Sequence, residues 1–84
     1  MPLLNRKQSE RTLVVAFDST ASALAFASSA QAAGLGGRLI PVPRSLSAGC
    51  GIAWRDLPAN RKHIESIIAA EAIDDAQLHE MQIL

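Results

Sequence analysis

One cysteine, one tryptophan, no tyrosine and no surplus of charge of either sign characterise this 84-residue chain, and each scarcity closes a route to function. A single cysteine cannot make a disulfide within the chain. Cys50, His63 and His79 lack the paired spacing of a structural zinc site, which takes four ligands, so no metal is expected. Lys plus Arg and Asp plus Glu number eight each. A nucleic-acid binder carries a basic excess to neutralise phosphates, so nucleic acid is not an expected partner. Residues 1–11 are polar and charged where a secretory leader needs an apolar run. The stretch between Ser19 and Gly37 has no charge, but its only large apolar residues are Leu24, Phe26 and Leu35, too few to enter a membrane. An unpaired thiol in such a chain predicts a reducing, cytoplasmic setting.

Half of the residues are hydrophobic, which argues for a folded domain, and the length suffices for one. Residues 1–10 show no sustained period and read as a loose N-terminal arm, leaving residues 11–84 as the domain. Arg11 to Phe17 is almost continuously apolar and β-branched, as in a central strand buried on both faces. Asp18, Ser19 and Thr20 can each cap a helix that runs to about Ala33. Ala23, Phe26, Ala27 and Ala30 recur at helical spacing as its buried stripe, with Gly34 at its C-terminal cap. Its other face holds Ser22, Ser28, Ser29, Gln31 and more Ala and reads as plain surface in preference to a face packed against another chain. Arg38 to Val42 reads as a second strand, with Pro41 marking an edge. The Gly-Leu-Gly-Gly run before it follows a helix, so it lacks the strand-to-helix context of a phosphate loop.

A third strand is expected over Ile52 to Arg55. Pro58 then opens a helix of about Ala59 to Ala72, with Ile64, Ile67, Ile68 and Ala72 inward and Arg61, Lys62, Glu65 and Ser66 in water. Glu71, Asp74 and Asp75 read as a solvated turn, and Leu78 to Ile83 as the last strand. The order is βαββαβ. One sheet with both helices on a single face buries these stripes economically. That is an α+β fold, the ferredoxin-like two-layer sandwich.

The candidate chemical centre is the loop PRSLSAGCG. Gly49 and Gly51 flank Cys50 and leave its sulfur unshielded by neighbouring side chains. Ser45 and Ser47 offer hydroxyl donors, and Arg44 and Arg55 lie on either side in sequence; positive charge favours a thiolate, which is the nucleophile. Against this stands the common fate of a lone cysteine, which is to pack as a small hydrophobe. No base is placed near it: His63 falls on the second helix and His79 on the last strand, so a cysteine hydrolase is poorly supported. Trp54 is expected in the core with a partner for its indole N–H.

The run from Arg38 to Gly51, RLIPVPRSLSAGCG, resembles the selenium/sulfur carrier protein-like family. Members show a strand ending in Pro-Arg, a Ser-rich turn and then Cys-Gly; here these are Pro43-Arg44, Leu46-Ser47 and Cys50-Gly51. The resemblance covers about Thr12 to Ile83. Ala48-Gly49 stands where members carry further serines, and the first helix has Ala and Ser where members carry Lys and Glu. The resemblance implies a shuttle without cofactor, not a turnover enzyme. Cys50 would hold a persulfide or selenopersulfide from a donor enzyme and pass it to an acceptor protein, with Arg44, Ser45, Ser47, Gly49 and Gly51 around the sulfur. The alternative is a non-catalytic interaction or regulatory module that docks a partner or a second copy of the chain, with Cys50 structural. A redox sensor cross-linking two chains through Cys50 ranks third.

Overall fold

The unbroken apolar run TLVVA belongs where both faces of a strand are covered, and it forms the buried strand of the sheet. In the computed structural model, which describes residues 11–46 and 49–82, Thr12–Ala16 form β1 and all five residues are buried. The chain continues through α1 (Thr20–Ala32), β2 (Arg38–Pro41), β3 (Ile52–Asp56), a 3₁₀ turn (Pro58–Asn60), α2 (Arg61–Ala70) and β4 (Gln77–Met81). The sheet order is β2-β3-β1-β4 and every pairing is antiparallel. This is the ferredoxin-like sandwich that the pattern of elements predicts. β2 lies at an edge, where Pro41 removes no ladder donor that a neighbour needs. The expected arm, residues 1–10, and Ile83 lie outside the described residues.

Strand register decides what each face carries. Leu39, Trp54, Val15 and Leu78 form one row across the sheet, and all four join the core beneath the helices. The adjacent row, Arg38, Arg55, Val14 and His79, points to the opposite face because side chains alternate along a strand. Neither α1 nor α2 covers that face, on which Val14 is fully buried.

Small residues let α1 lie close to the sheet. Its buried positions are Ala23, Phe26, Ala27 and Ala30, the predicted stripe. Ser19 is the cap: its hydroxyl accepts the Ser22 N–H at 3.1 Å, which satisfies one of the donors left open at a helix start. Phe26 meets Phe17 and Trp54 at ring-centroid distances of 5.5 Å, edge-on to the latter, and such pairs add about 1 kcal/mol each beyond their burial. The indole N–H of Trp54 donates to Asp56 Oδ2 at 2.9 Å, the partner its burial requires.

Both helices end in the same motif with different residues. At α1, Gly34 takes φ 84°, its N–H reaches the Gln31 carbonyl, and Leu35 N–H reaches Ala30. At α2, Ala72 takes φ 54°, its N–H bonds Ala69, and Ile73 N–H bonds Ile68. This paired pattern is a Schellman ending. It corrects the sequence reading, in which α2 runs on to Ala72 with that residue facing inward. The helix stops at Ala70 and Ala72 is exposed. The early stop turns Ile73 onto the core, and burying part of an isoleucine outweighs the roughly 1 kcal/mol cost of a left-handed alanine.

Candidate functional site

The turn between β2 and β3 is built by local hydrogen bonding. Leu46 N–H closes on the Pro43 carbonyl at 2.9 Å, and Val42 N–H bonds the Gly51 carbonyl at 3.0 Å. Gly51 has φ 79°, a conformation that disfavours any side chain. Gly49 is exposed, and a Cβ there would lie 3.1 Å from the Asp18 carbonyl oxygen. The turn therefore rests against the segment that leads into α1.

Cys50 is half-buried on this turn and packs at the margin of the core. Its S–H donates to the Ile52 carbonyl at 3.2 Å. That bond needs a proton on sulfur. Arg44 and Ser45 are both exposed, and neither side chain hydrogen bonds to the sulfur or to any other described residue. Ser47, also expected at the site, lies outside the described residues, as does Ala48. Arg55 is not part of this turn: β3 carries it to the far end of the sheet, roughly 15 Å along the strand direction. His63 is exposed on α2 and His79 half-buried on β4. Among the described residues neither donates to or accepts from the thiol.

Asp75 is the residue the sequence reading missed here. It is not part of a solvated turn. Its Oδ2 accepts the Asp18 N–H at 3.2 Å and the Ser19 hydroxyl at 3.4 Å, so the loop before β4 is tied to the start of α1, beside the Cys50 turn. Burial pushes its carboxyl up, but hydrogen bonds from Ser22, the Asp18 amide, its own amide and Ser19 outweigh that and hold it below the usual carboxylate range. Its partners are more than fifty residues away in sequence, so no local signal identifies it.

The arrangement offers one half-buried cysteine on a tight glycine turn, with no general base hydrogen-bonded to it among the described residues. Among the described residues no group of three His, Cys, Asp or Glu side chains is placed to hold a metal ion, and no helix is long and apolar enough to cross a membrane. The family model described as "Putative Se/S carrier protein-like" matches residues 12–80, a span that runs from β1 into β4 and includes the whole Cys50 turn. No curated protein and no solved structure shows a significant match to the chain.

Proposed function

The chain belongs to the Se/S carrier protein-like family, and from this premise we propose that Cys50 carries a sulfur or selenium atom between a donor enzyme and an acceptor protein. The Cys50 thiolate attacks the outer sulfur of a persulfide on the donor. A new S–S bond forms to Cys50, the donor's S–S bond breaks, and the donor leaves as a thiolate. Delivery is the same exchange in reverse, with a nucleophile of the acceptor taking the outer atom and Cys50 leaving as thiolate. Selenium follows the same course through an S–Se bond. Oxidation states balance across each exchange, so neither cofactor nor external oxidant is needed.

The observation that carries this reading is the position of Cys50. It sits half-exposed on a turn flanked by Gly49 and Gly51 and lies inside the family match. Loss of the sulfur proton frees the one hydrogen bond, to Ile52, and exposed Arg44 and Ser45 stand on the same turn to meet an anion. Incubation with a cysteine desulfurase plus cysteine, or a selenocysteine lyase plus selenocysteine, without added reductant, is expected to raise the mass of Cys50 by one chalcogen atom. Cys50→Ser is expected to stay unloaded. Wild-type protein that never gains an adduct on Cys50 with either donor rules the carrier out.

The packing of Cys50 against the core supports a second reading, an interaction module with a structural thiol. Alkylation at neutral pH separates the two. A carrier thiol labels within the time of a free small thiol, whereas a packed one labels only on unfolding.

A further inference from the structure

The sheet end remote from Cys50 holds a cavity of about 430 Å³ whose walls include Gly36, Gly37, Arg38, Arg55, Asp56 and Asn60. Arg38 and Arg55 are directly paired across β2 and β3. Opposed residues of an antiparallel pair share a face, so two guanidinium groups leave the backbone side by side, an arrangement that repels. Among the described residues neither arginine has an ion pair or a side-chain hydrogen bond.

The carboxylates that make ion pairs among the described residues do so with other arginines. Glu80 faces Arg11 and Arg61, and Glu65 faces Arg61. Asp56 lines the cavity itself; its oxygens accept from the neutral Trp54 indole, Leu57 amide and Asn60 side chain, which fix the carboxylate in place while its charge remains and offsets one of the two arginine charges. The amides of Gly36 and Gly37 also have no acceptor among the described residues. Gly37 is fixed as glycine by crowding: a Cβ would collide with the Arg55 carbonyl and lie 2.7 Å from Trp54 Nε1.

The geometry points to a binding site for a small phosphate-class dianion, held between Arg38 and Arg55 with its organic portion in the cavity. Two planar guanidinium forks match a tetrahedral oxyanion that offers three free oxygens, and one dianion cancels the repulsion between them. The volume exceeds what a bare ion fills and lies in the range of small-ligand pockets, about 300–1,000 Å³. The site is separate from Cys50 and stands whether or not that thiol carries sulfur.

Calorimetric titration at fixed ionic strength tests it, with inorganic phosphate, glycerol 3-phosphate and malonate as probes on the full chain. Saturable binding of both phosphates is expected, with glycerol 3-phosphate the tighter and malonate at least ten-fold weaker. Arg38→Gln and Arg55→Gln should each weaken phosphate about ten-fold while circular dichroism shows the native fold. Arg55→Lys should fall between, because it keeps charge and loses the fork. Cys50→Ser should bind as wild type, and Arg44→Gln should do the same. No saturable phosphate binding, or binding indifferent to both Gln variants, overturns the site. Malonate binding as tightly as phosphate overturns the phosphate class. Loss of chalcogen loading on Cys50 with phosphate binding intact, or the reverse, separates the fate of this site from that of the carrier reading.

Discussion

The two ends of the sheet handle polar groups in opposite ways. At the Cys50 end, donors and acceptors close on one another: Asp75 takes the Asp18 amide and the Ser19 hydroxyl, and the thiol gives its proton to Ile52. At the other end Trp54, Leu57 and Asn60 converge on Asp56, while Arg38 and Arg55 stand paired in register without an ion pair among the described residues. The first end stabilises the turn that holds Cys50. The second is a frame beside two arginines that make no ion pair among the described residues. The proposed carrier thiol and the proposed anion site thus fall at opposite ends of one small sheet.

Steric demand differs between the ends as well, and this gives the largest expected effect. Gly37→Ala drives a methyl into the backbone of β3 and should cost about 3 kcal/mol in denaturant unfolding. Gly49→Ala at the other end, exposed and with a 3.1 Å contact to Asp18, should cost no more than about 1 kcal/mol. Equal losses would erase the contrast. Gly51→Ala forces alanine to φ near 79° and should cost about 1–2 kcal/mol, while leaving phosphate binding unchanged.

A smaller effect appears on acidification. Asp75 has its folded carboxyl below the usual range, so its contribution is present above the unfolded carboxylate value and is lost as pH falls through the lowered one. Asp75→Asn should be less stable than wild type at neutral pH and should show a shallower stability loss below about pH 4. An unchanged acid slope would mean that the loop is not held by that charge. Least of all, Ala72→Gly relieves a left-handed alanine and should raise stability by about 0.5 kcal/mol, readable as a small increase in thermal midpoint.

Local pattern specifies much of this architecture. The α1 stripe, the cap among residues 18–20, the edge position signalled by Pro41 and the core site of Trp54 all depend on neighbours within a few residues, and all are found. The end of α2 is not legible locally, because alanine favours helix whereas the decisive gain is the burial of Ile73 beyond it. Asp75 and the Arg38–Arg55 pair depend on which strands and loops meet. Arg55 in particular seemed close to Cys50 by numbering, but an extended strand takes it away from the thiol and alongside Arg38. The turn carrying Cys50 was legible as glycine-flanked; its tie through Asp18 to Asp75 was not.

With one tryptophan and no tyrosine in the chain, near-ultraviolet emission comes from a single ring. That ring is sealed in the interior, edge-on to Phe26, and its indole N–H is held by a carboxylate in the cavity wall. Fluorescence excited at the indole therefore reports global unfolding and the filling of the arginine-lined hollow from one built-in chromophore, without a dye or an added label. It follows the arginine end of the sheet, while mass measurement follows the sulfur at the other.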